Sequence, residues 1–92
     1  MKLRFYIDPD TELLHIHNHN VEEDEVEDIL EAPAEDYVGK NNARVAIGQT
    51  EAGRYLKVIY VPEEDGAFVI TAYELKGKPL AAFKRRQKRR KN

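Results

Sequence analysis

Two stretches of this chain carry residue types able to do chemistry. Histidines stand at positions 15, 17 and 19, a spacing that aligns two imidazoles either at i, i+4 on a helix or at i, i+2 on a strand. Imidazole moves protons near neutral pH and also binds metals. No acid or cysteine completes a spacing typical of zinc sites with them, so no metal and no cofactor is expected. The second stretch is the C-terminal end. Lys76, Lys78, Lys84, Arg85, Arg86, Lys88, Arg89, Arg90 and Lys91 supply nine positive charges among the last seventeen residues, with no acid between them. That density would neutralise several phosphates, and binding to RNA through it would weaken steeply as salt rises. Tyr6, Tyr55, Tyr60, Tyr73 and Phe68 could add a stacking surface for bases, although aromatics in strands serve first in core and cross-strand packing.

These groups must be positioned by 92 residues, of which 41% are hydrophobic and 35% charged. Such a chain builds one domain around one sheet and has no room for a second core. The absence of cysteine excludes a disulfide framework, a thiolate metal site and a thiol nucleophile. MKLRFYID brings an acid by position 8, and the longest apolar segment, residues 55–61, contains Lys57. Secretion and membrane spanning are therefore disfavoured, and a cytoplasmic protein is expected.

The net charge of −2 hides a large asymmetry: residues 1–75 hold all 17 acids and six bases, giving −11, while residues 76–92 carry +9. The acidic body would repel nucleic acid everywhere except at the basic end and so orient any encounter. By itself that end should repel itself and be mobile. It could equally fold onto the acidic helix of its own chain, or onto that of a second copy as a homodimer contact.

The spacing predicts four main strands. In residues 3–7, Leu3, Phe5 and Ile7 share one face, and Asp8-Pro9 ends the run. Residues 9–19 read either as a short helix, with Leu13 and Ile16 on one side, or as a strand in which Leu14 and Ile16 alternate with the histidines. A helix follows, with Val26, Ile29 and Leu30 as its apolar stripe and Pro33 as its stop. Its start is marked twice. With Glu22 as cap, Val21 and Val26 can form a hydrophobic staple; with Asn20 as cap, Glu23 sits at N3 as in a capping box. Residues 34–43 read as a loop, with room for a short edge strand near 36–38. Residues 44–50, 55–61 and 67–73 form an antiparallel meander, with Gly53 expected at positive φ in the first turn. Gly77 and Pro79 mark a C-terminal helix anchored by Leu80, Ala81 and Phe83.

This order of elements, with NHNVEEDEVEDIL and RVAIGQTEAGRYLKVIYV at matching distances, resembles the BrnT-type proteins of the RelE/ParE toxin superfamily and their small bacterial relatives. The resemblance implies an α+β fold: an antiparallel four-stranded sheet with N-terminal helices packed on one face and a basic C-terminal helix or tail. Residues 1–83 would be the RelE/ParE-like domain and residues 84–92 the basic tail. It also implies metal-independent RNA cleavage, with RNA or the ribosome as target and a small antitoxin protein as partner. Such cleavage needs a base for the attacking 2′-hydroxyl, cations for the phosphorane and an acid for the leaving oxygen. By the resemblance, His19 would transfer protons and Arg44 and Arg54 would hold phosphate. Asn18 stands where the toxins carry lysine, Asn20 replaces a glycine, Glu63 lies near an expected arginine and Tyr73 occupies the place of a second arginine. Tyr73, Lys76 and Lys78 would then supply donors from neighbouring positions. The alternative expectation is a non-catalytic module on the same fold that binds RNA or an acidic protein.

Overall fold

The computed structural model describes residues 1–90. Its elements in chain order are β1 (Lys2–Phe5), a 3-10 turn (His15–His19), α1 (Glu23–Glu31), β2 (Glu35–Val38), a second 3-10 turn (Lys40–Asn42), β3 (Arg44–Gln49), β4 (Tyr55–Glu63), β5 (Gly66–Glu74) and α2 (Gly77–Arg90). The strands form one sheet in the order β1-β5-β4-β3-β2. This corrects the expected antiparallel four-stranded sheet: there are five strands, and β1 runs parallel to β5 while every other pair is antiparallel. After β1 the chain crosses to the far edge through α1, and the meander then brings β5 back beside β1. The fifth strand is β2, from the segment read as a loop with room for an edge strand. Asn41 and Asn42, at φ 55° and 64°, make the reversal into β3 in a left-handed conformation that asparagine tolerates.

Alternation along the strands gives the sheet two apolar faces. On the first, Ala46, Leu56, Val58, Tyr60, Val69 and Ala72 meet Ile16 of the 3-10 turn and Val21, Val26 and Ile29 around α1. On the second, Val45, Ile47 and Leu75 meet Phe83 of α2, with Tyr55, Ile59 and Leu80 packed around them. Fully burying side chains such as Ile29 and Leu56 contributes about 1.5–3 kcal/mol each. A bulge at Ile59/Tyr60 adds one residue to β5 and keeps both faces in phase on either side of it.

Glu22 caps α1, and its N–H donates to Glu25 Oε1 at 3.0 Å. Val21 and Val26 are both fully buried, as a staple requires. Of the two caps the sequence allowed, Asn20 instead closes the 3-10 turn in a left-handed conformation. Gly53 turns the β3–β4 hairpin at φ 99°. Residues 84–90 of the basic segment continue the helix begun at Gly77; residues 91 and 92 lie outside the described residues. Among the described residues no helix is long and apolar enough to cross a membrane.

Charge follows the layers. Glu23, Asp24, Glu25, Glu27, Asp28 and Glu31 lie on α1 with no base among them, and Lys78, Lys84, Arg85, Arg86, Lys88, Arg89 and Arg90 lie on α2 with no acid. Because α1 packs on the first face and α2 on the second, the sequence asymmetry becomes a separation of charge across the sheet.

Candidate functional site

β1 pairs with only the first four residues of β5, so the rest of β5 has no strand on that side. The 3-10 turn fills the gap. Its rings form a chain: Tyr6 lies edge-on to His15 at 6.0 Å between centroids, His15 to His19 at 5.2 Å, and His19 is tilted against Tyr73 at 6.0 Å. Where the chain ends, His19, Asn20, Arg54, Tyr73, Glu74 and Lys76 line a shallow depression of ≈ 240 Å³. Three of the four residues expected to be catalytic, His19, Arg54 and Tyr73, thus come together beside Lys76.

Arg54 is not a free cation there. One of its nitrogens donates to Glu25 Oε1 and Oε2 at 2.7 and 2.8 Å and to the Asn20 carbonyl at 2.9 Å, and the other reaches Glu74 Oε1 at 3.4 Å. Burial opposes its charge most strongly, but Glu25 and Glu74 together outweigh that and raise its pKa. With its charge answered by two carboxylates, Arg54 fastens the start of β4 to α1, β5 and the 3-10 turn. It has little left to hold a phosphate.

Arg44 is placed elsewhere. It opens β3 opposite Tyr60, whereas Tyr73 lies on the other side of β4, opposite Lys57 nearer the start of that strand. Its Nε donates to Asp36 Oδ1 at 2.9 Å, and the Tyr60 hydroxyl donates to Asp36 Oδ2 at 2.7 Å. Burial first, and Asp36 second, raise the pKa of the Tyr60 phenol. The three residues tie the edge strand β2 across to β4.

Of the α2 cations, Arg86 is bound to the sheet: Nε and Nη2 donate to the two Glu35 oxygens at 2.8 and 2.9 Å, and Gln87 adds a bond at 3.3 Å. Arg90 reaches the Ala34 carbonyl at 3.4 Å, and Lys84 lies 5.1 Å from the Tyr55 ring centroid. Among the described residues, Lys76, Lys78, Arg85, Lys88 and Arg89 form no ion pair. All five are exposed.

The Arg86 hydrogen bond is the main cause holding the Glu35 carboxyl below its usual pKa, and burial partly opposes it. A carboxyl depressed on folding stabilises the folded state above its unfolded pKa, and the contribution disappears as pH falls through the lower folded value. The end of α2 is therefore expected to loosen below about pH 4. Protection factors over residues 77–90, exchange corrected for the intrinsic pH dependence of the amides, should fall in that range in the parent protein. In Glu35→Gln they should already be lower at neutral pH and change little on acidification.

His17 Nε2 lies 2.8 Å from Glu23 Oε1 and 3.7 Å from Glu22 Oε2, so the fold supplies the acids that the local spacing of the histidines did not. The hydrogen bond from His17 is the main cause lowering the Glu23 pKa. The group is open to solvent, and its shortest contact is a hydrogen bond that needs no ion.

Sequence reasoning also passed over Arg4, Lys57 and the specific placement of Phe68. Arg4 Cζ lies 4.8 Å from the Phe68 ring centroid, and Lys57 Nζ lies 6.0 Å from that of Tyr73. The available signal was Lys57 itself, a charge inside an otherwise apolar strand.

A family model described as a domain of unknown function, DUF4258, matches residues 13–74, two thirds of the chain. The chain belongs to this family. No curated protein and no solved structure matches it. The DUF4258 match runs from just before the 3-10 turn to the end of β5, and so includes His19, Arg54, Lys57, Phe68 and Tyr73. It leaves out β1 and the whole of α2. The cation-rich helix of this DUF4258 chain therefore lies beyond the part that defines its family.

Proposed function

We propose that this DUF4258 chain is a non-catalytic RNA-binding module in which the outward side of α2 holds phosphates. The observation that carries the reading is the set of exposed cations on and beside α2 that form no ion pair among the described residues, the helix lying on the opposite side of the sheet from the acids of α1. Phosphates would be attracted to one face and repelled from the other. The resemblance to RelE/ParE-type toxins supports RNA as the polyanion, and a small antitoxin partner belongs to the same proposal.

A second reading, ribonuclease activity, is favoured by one observation: His19, Tyr73 and Lys76 share a depression and together offer an imidazole, a phenol and an ammonium group. It ranks second because Arg54 is occupied by Glu25 and Glu74 and Arg44 lies away from the depression.

Titrating a labelled RNA against salt tests the first reading. The logarithm of affinity should fall linearly with that of salt, and changing Arg85 and Arg89 to glutamine should reduce the slope by roughly 1–2. Absence of salt-sensitive binding would overturn it. New RNA ends on induced expression, abolished by His19→Ala, would instead establish the second reading.

A further inference from the structure

We propose that the part of the second sheet face left uncovered by α2 is a platform on which bases of a single-stranded RNA stack while α2 holds the backbone. This rests on the role of α2 just given and names the form of RNA it serves.

Register defines the platform. Tyr73 lies opposite Lys57, Thr71 opposite Ile59 and Phe68 opposite Val61, while β1 sets Arg4 beside Phe68. Ile59 belongs to the cluster around Phe83, so all these residues are on the α2 side of the sheet. The helix leaves the end of β5, packs over Val45, Ile47 and Tyr55, and is tied to Glu35 on β2. It covers the β2–β3 side and leaves the β1–β5 side open.

That open area has the chemistry of a base-stacking surface. Phe68 and Tyr73 stand on one strand, each half-buried and each with a cation near its ring, Arg4 and Lys57. Arg4 is 65% exposed; its guanidinium lies over Phe68, so its outward plane extends the stacking surface. Lys76, at the rim beside Tyr73, leads to the cations of α2. Glu63 is the acid paired with Arg4 on this face, whereas Glu25 and the rest of α1 lie behind the sheet. Aromatic rings flanked by cations on an open sheet accept the flat faces of unpaired bases, and a duplex does not expose those faces.

The test measures binding of a short labelled single-stranded oligoribonucleotide to the full chain. Phe68→Leu and Tyr73→Leu keep apolar bulk and remove the ring; Phe68→Tyr and Tyr73→Phe keep the ring. Each leucine variant is expected to lose roughly tenfold in affinity with its salt slope unchanged, and the ring-preserving variants should bind like the parent. Duplex RNA of the same sequence should bind more weakly and be indifferent to the leucine changes. The chain has no tryptophan, so quenching of tyrosine fluorescence by RNA, reduced in Tyr73→Phe, reports stacking even if a leucine variant fails to fold. Folded leucine variants that keep parental affinity and salt slope would overturn the platform and leave the α2 reading standing. Loss of all salt-sensitive binding would remove both. Equal binding of duplex, or an acidic peptide bound more tightly than RNA, would also overturn the platform.

Discussion

Alanine in place of Gly66 is expected to detach β1 and destabilise the protein by about 3 kcal/mol or more, since the obstruction is backbone. An ideal Cβ at this position would overlap the Lys2 carbonyl oxygen and stand 2.6 Å from its carbon and 2.7 Å from the Lys2 nitrogen. No flexible side chain can move aside to relieve that contact. Gly66 is the first residue of β5 and lies opposite Lys2, so a shift there propagates along the whole parallel pair. Leu3 and Phe5, which pack against the first core, would come away with it. Hydrogen exchange should show this directly: the Tyr6 amide, bonded to the Val69 carbonyl at 2.9 Å, should lose protection well before the amides joining β3 to β4. A Gly66→Ala protein that melts with the parent and keeps the Tyr6 amide protected would refute the expectation.

Arg54→Ala is expected to cost about 2–3 kcal/mol, below the range for a fully buried ion pair because the site is partly solvated. In a domain of this size that lowers the melting temperature by roughly 10–20 °C. Arg54 is 28% exposed and Glu25 only 17%, so the change strands a largely buried carboxylate as well as the Asn20 carbonyl. It also removes the cation that fixes the Glu25 oxygen accepting the Glu22 N–H at the start of α1. A double-mutant cycle between Arg54→Ala and Glu25→Ala should return a coupling of about 1 kcal/mol or more. A drop of a degree or two with no coupling would mark Arg54 as an ordinary surface charge and reopen its role in holding phosphate.

The elements legible in the sequence are those whose signals are local. Val26, Ile29 and Leu30 specified α1 by spacing, Val21 and Glu22 its start, and Gly53 the first hairpin, because each signal lies within one turn or one loop. Pairing between distant strands has no such signal. Nothing in KLRF states that it will lie parallel to β5, and for EDYV the sequence allowed an edge strand near 36–38 within a loop but not the pairing with β3 or the bonds of Asp36 to Arg44 and Tyr60. The candidate site divides the same way. His19 and Tyr73 were nameable, but the ion pairs of Arg54 and the isolation of Arg44 follow from register and helix placement. The open face bearing Phe68, Tyr73 and Lys57 depends on where α2 comes to rest, and only the three-dimensional path of the chain reveals that.

The parallel pair also constrains how the chain reaches this form during synthesis. Lys2 waits for Gly66, 64 residues further on, so when β1 emerges from the ribosome its permanent neighbour has not been translated. Short-range contacts around α1 and the β3–β4 hairpin can assemble first, whereas the N-terminal strand cannot dock until β5 is present and its long loop closes. Until then Leu3 and Phe5 remain exposed to whatever else is in reach. In the interval before β5 emerges, these apolar side chains lack the strand that holds them in place, the kind of exposure that invites aggregation or capture by a chaperone.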